Sequence, residues 1–359
     1  MSRPICAQIN LAALRHNLNQ VRDLAPNSKI WAVIKANGYG HGVGRVANQL
    51  ASADGFAVAS VDEALILRQK GFIHRILLLE GVFSADEINL VEQHRLEMVV
   101  HSPHQVNWLL KADIQTPIKV WVKLDTGMHR LGFSPQDFEQ IMIKLQSVQP
   151  RISLHVMSHF ASASESAEFT AKQLAVFEQM TQNLDYPRSF ANSAAVQHLT
   201  QAHFEWVRPG IMLYGAGILN KWQTQFRAVL TFRTKLISLK WIEPDEAVGY
   251  GQTWQAERRS LIGVAAAGYG DGYPRHAPSG TPVLVNGERA QIVGRVSMDM
   301  ITIDLTDFAD TVKIGDPVIL WGDGLSVDEI ADSAGTIGYE LLCGITQRVP
   351  IVEVNSEVQ

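Results

Sequence analysis

Through the first two thirds of the chain, apolar residues fall into short continuous runs separated by stretches in which they recur every three or four positions. The runs at 30–34, 55–59, 76–79, 98–100, 118–124, 152–157, 188–191 and 204–207 read as strands buried on both faces. The stretches between them read as amphipathic helices, several with a start signal. Leu11, Leu14, Leu18 and Val21 follow the capping residue Asn10 at helical spacing. Ser60 with Glu63 and Ser84 with Glu87 form capping-box patterns, and Ser102-Pro103 and Ser134-Pro135 place proline in a first helical turn. These alternations predict an α/β fold, an N-terminal (β/α)8 TIM-type barrel over residues 1–225, with a doubly wound sheet as the alternative that strand count leaves open.

After about Leu219 the pattern changes to strand-like alternation. The segments 229–239, 261–267, 282–285, 291–296, 301–305 and 318–321 predict strands, and Asn286-Gly287 after one of them is a hairpin signal. Only the stretch from Ser326 to Ala334, with Glu329 completing a capping box and Gly335 following, reads as a clear helix there. A mostly antiparallel β domain over 226–359 is expected, with the first few residues of the chain as candidates to pair with it.

Composition narrows the class of function. The 359 residues are 46% hydrophobic and 19% charged, enough for a sizeable core, and no apolar run approaches the length of a membrane span. The first residues lack the apolar stretch of a signal peptide, so a cytoplasmic address is expected. A net charge of −5 gives no draw toward nucleic acid or anionic lipid, which leaves a small molecule as the expected partner. Cys6 and Cys343 have neither metal-ligand nor redox spacing and are expected as thiols, with no metal site.

Chemistry concentrates at the ends of the predicted strands. Lys35 closes the 30–34 run and precedes a loop containing Gly38, Gly40, Gly42 and Gly44. Lysine is rarely buried, so a lysine ending a core strand either snorkels to solvent or is held there for its amine. A desolvated amine, its pKa drawn down from about 10.4, suits Schiff-base chemistry. A dinucleotide fingerprint at Gly42-Val-Gly-Arg-Val-Ala47, with Asp62 as the ribose-binding acid, is disfavoured because Lys35 to Tyr39 intervene between strand and first glycine. Lys123 and Asp125 end the fifth run, His159 the sixth, Asn192-Ser193 the seventh and Arg208-Pro-Gly-Ile211 the eighth. In a TIM barrel these ends converge on one mouth, and the loops after strands seven and eight commonly form a phosphate site. Ser193 brings a hydroxyl to it, and Gly210 and Ile211 bring backbone N–H groups.

The segments Ala-Val-Ile-Lys-Ala-Asn-Gly-Tyr-Gly-His-Gly (32–42), Lys-Leu-Asp-Thr-Gly-Met-His-Arg-Leu-Gly (123–132), Ser-His-Phe-Ala (158–161), Asn-Ser-Ala-Ala (192–195), Arg-Pro-Gly-Ile (208–211), Gly-Tyr-Gly (249–251), Gly-Tyr-Gly-Asp-Gly-Tyr-Pro-Arg (268–275), Gly-Arg-Val-Ser-Met-Asp (294–299) and Gly-Tyr-Glu (338–340) occur in this order. With these segments, spread over nearly its whole length, the chain resembles the alanine racemases, fold type III pyridoxal-phosphate enzymes that interconvert L- and D-alanine. Gly38 and Gly270 stand where alanine is usual in that family. The resemblance implies that Lys35 bonds pyridoxal 5′-phosphate and that Tyr39, Asn192, Ser193, Gly210, Ile211 and Tyr339 hold it. Arg208 would face the ring nitrogen, where a guanidinium weakens the cofactor as an electron sink.

Racemisation needs an acid and a base on opposite faces of the reacting carbon. The resemblance implies that Lys35 is one, and that the other is Tyr250 from the second subunit of a homodimer with composite sites, linked to His159 and Arg208. It further implies that Arg130, Met298, Asp299 and Tyr269 contact the substrate, that Lys123 is open to carbamylation, and that Tyr269 with Tyr339 narrows the entrance. D-Alanine would serve the cell wall, or the enzyme would act in catabolism. A broader amino-acid racemase and a non-catalytic pyridoxal-phosphate carrier are the alternatives; the paired tyrosines disfavour the first and Tyr250 the second.

Overall fold

The computed structural model describes residues 3–217 and 225–355; the expected change of pattern at Leu219 lies outside the described residues. Among these, eight parallel strands close into a barrel in sequence order: Lys29–Val33, Gly55–Val58, Arg75–Leu78, Glu97–Val100, Ile118–Lys123, Ile152–Met157, Arg188–Asn192 and Trp206–Arg208. The last pairs back onto the first, Trp206 beside Lys29 and Val207 beside Ile30. The predicted TIM-type barrel is borne out, and the doubly wound sheet is excluded by this closure.

Large side chains fill the barrel below its carboxyl-terminal mouth. Trp31 stacks on Trp206 with ring centroids 4.5 Å apart and meets the edge of Trp121 at 6.1 Å. The Arg75 guanidinium lies 4.4 Å from the Trp206 ring centre, and the buried Glu97 carboxylate accepts from Trp121 Nε1 at 2.9 Å. Gly55 is required beside them, because a Cβ there would stand 2.2 Å from the Trp31 ring. These aromatic rings fill the barrel interior beneath the mouth.

The helix signals are met in part. Asn10 accepts from the Ala12 N–H at the start of Leu11–Leu24, and prolines open Pro103–Lys111 and Pro135–Gln146. The box expected at Ser84 is displaced: the helix Glu87–Gln93 begins three residues later, after a turn in which the Ile88 N–H reaches the Ala85 carbonyl. Ser60 precedes Val61–Gln69 without a side-chain cap, and Glu63 turns to the N–H groups of Ala59 and Ala36.

The remainder is mostly antiparallel β, as expected. The long strand Leu230–Ile242 pairs with Ser260–Ala265 on one side and Pro317–Trp321 on the other; Pro282–Val285, Glu288–Ile292 and Ile301–Asp304 complete the ring. Cys6–Asn10 pairs with Leu230–Ile242, and Ile351–Val354 lies parallel to Cys6–Asn10. Asn286 and Gly287 take φ of 52° and 87°, the two positive values a tight hairpin turn requires. The helix Val327–Ala334 is capped by Ser326 and stopped by Gly335 in the left-handed region. The chain divides into two compact units, one comprising Arg15–Leu213, the other the residues up to Leu14, Tyr214–Gly217 and those from Phe226 on. Among the described residues no helix is long and apolar enough to cross a membrane.

Candidate active site

Lys35 stands at the carboxyl end of Lys29–Val33, and beyond it the backbone does not stay extended. Ala36, Asn37, Gly38, Tyr39 and Gly40 all take positive φ, between 51° and 80°. For residues with a Cβ, left-handed helical conformation costs about 1–2 kcal/mol each, so this run needs outside support. Asn37 Oδ1 accepts from the Val43 N–H at 2.8 Å, and the Gly42 N–H returns to the Asn37 carbonyl at 2.8 Å. His41 Nδ1 lies 2.8 and 3.0 Å from the carbonyl oxygens of Tyr39 and Gly38, so that nitrogen carries the proton and donates. Burial holds the His41 pKa down to about 4, leaving the ring neutral at pH 7.

Across the mouth, Asn192 Oδ1 accepts from the Ala195 N–H and caps Ser193–His198. Ser193 Oγ, buried at the start of that helix, accepts from the N–H of Gly210 at 2.8 Å and of Met212 at 3.5 Å. Gly210 leaves room for Tyr39: a Cβ at position 210 would lie 2.5 Å from the Tyr39 hydroxyl. The Val33 N–H donates to the Pro209 carbonyl at 3.0 Å, tying the strand before Lys35 to this loop. Ile211 opens the turn Ile211–Tyr214. Tyr39, Ser193, Gly210 and Ile211 are therefore brought together.

Arg208 is buried and held by four hydrogen-bond contacts. It donates to Ser189 Oγ and the Ser158 carbonyl, each at 2.6 Å, and to His159 Nδ1 and the Phe190 carbonyl, each at 3.3 Å. Burial draws its pKa down to about 10. Lys123, 8% exposed, is lowered to about 8, first by burial, then by the fields of Arg208 and Arg130, with Lys35 adding and Asp125 opposing. His159 is driven well below the usual imidazole range by burial and by the same cations, Arg208, Lys123, Arg130 and Lys35. Burial would raise Asp125, but the N–H groups of Gly127 and His129 and the His129 ring outweigh it and the net shift is downward. One mouth thus gathers Lys35, Lys123, Arg130, His159 and Arg208, an arrangement that suits an anionic ligand. The supporting roles of Ser158 and Ser189 have no counterpart among the sequence expectations. Ser158 opens the segment Ser-His-Phe-Ala (158–161), whereas Ser189 is a small polar residue in a strand and carries no signal of its own.

The other expected residues lie in the second unit. Tyr250 begins a short turn between Gly249 and Gly251, both at positive φ, and is 70% exposed. The Tyr269 N–H donates to the Ser297 carbonyl and the Gly270 N–H to the Met298 carbonyl, which holds the Tyr269 turn against Met298-Asp299. Asp271, with no exposed surface, locks this pair of segments: it accepts from Arg3 at 2.7 and 2.9 Å and from the Gly268 N–H at 3.0 Å, and lies 3.5 Å from Arg348, which also bonds Asp299. Tyr339 sits in Gly338–Cys343, half-exposed like Met298.

The chain matches the family profile "Alanine racemase, N-terminal domain" over residues 9–217 and "Alanine racemase, C-terminal domain" over 229–353. It is 47% identical over 356 residues to a catabolic alanine racemase of Klebsiella aerogenes, covering 98% of this chain and 99% of that protein. It is 50% identical over 349 residues to an alanine racemase of Nitrosococcus oceani, covering 96% and 98%. Among solved structures, the biosynthetic alanine racemase from Pseudomonas aeruginosa matches with a TM-score of 0.94 at 46% identity, covering 98% of this chain and all of that one.

Proposed function

The chain belongs to the alanine racemase family and is an isomerase of L- and D-alanine; we propose that it works with pyridoxal 5′-phosphate held on Lys35 and with two bases drawn from two subunits. The observation that carries this reading is the mouth itself: a strand-end lysine, the hydroxyls of Tyr39 and Ser193 drawn close to a Gly210 that has no room for a Cβ, and a concentration of cations for a phosphate and a carboxylate to neutralise. The residues present fit the group. Tyr39, Ser193, Gly210, Ile211 and Tyr339 would hold its phosphate beside the helix that Asn192 caps, and the Lys35 amine would bond its aldehyde with loss of water. When bound, the cofactor withdraws electrons from the substrate and acidifies the α-carbon.

The chain's own residues do the rest. Lys35 Nζ serves one face of the α-carbon and Tyr250 of the partner subunit the other: one takes the α-proton while the other gives up its own, so the carbon is reprotonated on the face opposite the one that lost its proton. Arg208 only donates, so His159 Nδ1 accepts and its remaining proton sits on Nε2, available to hydrogen-bond a phenolate. Four bonds to the barrel hold the Arg208 guanidinium in place, and at the cofactor's ring nitrogen this permanent cation would discourage a second positive charge. Arg130, Met298 and Asp299 serve the substrate carboxylate, with Tyr269 and Tyr339 limiting side-chain size. The Lys123 amine, brought to about 8, is partly neutral at physiological pH and can add carbon dioxide, losing a proton to become a carbamate facing Arg130. Tyr250, Met298, Met300, Tyr339 and Tyr269 are from 70% to 37% exposed, an apolar set that a second copy would cover.

The test is borohydride reduction of the purified holoenzyme followed by peptide mass mapping. The cofactor is expected on Lys35, and its appearance on any other lysine rejects the assignment.

A further inference from the structure

We propose that Glu63 is the positioning residue for Lys35, its carboxylate pinning the backbone at the point where the first barrel strand turns left-handed. The two oxygens divide their work: Oε1 accepts from the Ala36 N–H at 2.6 Å and Oε2 from the Ala59 N–H at 2.8 Å. Ala36 directly follows Lys35, and Ala59 follows the neighbouring strand Gly55–Val58. The last rung between these strand ends is Ile34 N–H to the Ala57 carbonyl at 2.9 Å; past it the chain leaves the sheet, and Ala36 begins the left-handed run at φ 52°. Glu63 supplies the acceptor that the sheet no longer can.

The consequence for Lys35 follows from the planarity of the peptide bond. The Ala36 N–H lies in the plane whose other end is the Lys35 Cα, so holding that N–H on one side and the Ile34 N–H on the other confines ψ of Lys35 and with it the direction in which the side chain leaves. A carboxylate is the group the geometry asks for. Two donors converge on it, and only an ionised acid accepts on both arms; a glutamine in its place turns an NH2 toward one of the two N–H groups. Glu63 sits in the first turn of Val61–Gln69, where the helix dipole favours its charge, and Ser60 makes no side-chain cap bond there. The capping-box pattern in the sequence is thus diverted from capping a helix to setting a strand end.

This inference rests on Lys35 being the cofactor-bonding residue, and its test separates the two. Pyridoxamine phosphate keeps the phosphate and ring of the cofactor but has an amine where the aldehyde stands, so it reaches the same niche without bonding Lys35. Binding of both compounds to the cofactor-free dimer is measured for wild type and Glu63→Gln. Loss of one charge-assisted hydrogen bond is expected to weaken pyridoxal phosphate about tenfold and pyridoxamine phosphate less than about twofold. Equal weakening of both, or of neither, overturns the proposal. Should Glu63→Gln not fold, Glu63→Asp, which keeps the charge but is too short to reach both donors, carries the same comparison. In the wild-type protein without cofactor, slow amide exchange at Ala36 and Ala59 is expected, and rapid exchange at either overturns the proposal whatever the variants do. A wild type in which pyridoxal phosphate fails to label Lys35 refutes the cofactor reading, while the exchange result still decides whether Glu63 clamps the strand ends.

Discussion

Lys123 carries an electrostatic penalty at the mouth that a mutation can relieve. Its amine titrates near 8 in the fold against an ordinary 10.5, with burial the first cause. Between these values the unfolded chain binds more protons than the folded one, so stability rises with pH from about 8 toward 10.5, and the penalty is fully present below 8. In cofactor-free protein kept free of bicarbonate, Lys123→Met is expected to stabilise at pH 7 by on the order of 2–3 kcal/mol. Urea unfolding at pH 7 and pH 10 checks it, and a gain of equal size at both pH values rejects burial as the cause. Asp271 is the opposite case, a buried carboxylate whose partners are all in place. Asp271→Asn leaves Arg3 and Arg348 without a buried counter-charge and is expected to cost about 2–3 kcal/mol. A lowered urea midpoint at unchanged slope is the readout; an unchanged midpoint means the network is dispensable.

In the run from Ala36 to Gly40 the residues' own conformational preference opposes the observed form. Three of its five residues carry a Cβ at positive φ, and they stay there because Glu63, Asn37 and His41 each hold a backbone group. Asn37 does two jobs, tolerating the left-handed region and accepting from the Val43 N–H. Asn37→Ala removes both and is expected to lower stability by about 1–2 kcal/mol. Thermal unfolding of the cofactor-free protein measures this, with exchange of the Val43 amide as the local probe. A loss of stability without faster exchange at Val43 places the effect elsewhere. Ordinary elements needed no such support: Pro103 and Pro135 sit at helix starts and Asn286-Gly287 at a hairpin, where local preference and tertiary structure agree.

For the whole molecule, the prediction concerns which chain supplies which base. Lys35 belongs to the unit Arg15–Leu213 and Tyr250 to the other, and Tyr250 is the most exposed of the aromatic residues assigned to the site. A homodimer of twofold symmetry that seats each Tyr250 in its partner's site makes the arrangement reciprocal. Mixing Lys35→Ala with Tyr250→Phe then creates one site lacking both bases and one with both intact. Racemase activity should reappear in the exchanged heterodimer, to roughly half the wild-type value per dimer if sites act independently. Subunit exchange is verified by tags of different mass. Exchange without recovered activity rejects a site shared between chains.

Much of this was legible in the residues alone. Continuous apolar runs mark strands buried on both faces, and the alternation of these runs with helical spacing marked the barrel before any coordinate did. The clustering of Lys35, Lys123, His159, Ser193 and Arg208 could be expected because a barrel carries all its strand ends to one mouth, so position within each repeat stands in for distance. What sequence spacing does not encode is which hydrogen bond a polar side chain makes once several backbones converge. Ser84 with Glu87 carries the same local pattern as Ser60 with Glu63, yet the first lies ahead of a turn and the second beside a neighbouring strand end. Ser189 became a partner of Arg208 only because the seventh and eighth strands are adjacent. Local preference is a property of a few consecutive residues and can be read in order. The carboxylate that sets Lys35 stands 28 positions away, and the fold alone brings it to the next residue's N–H, a distance of 2.6 Å.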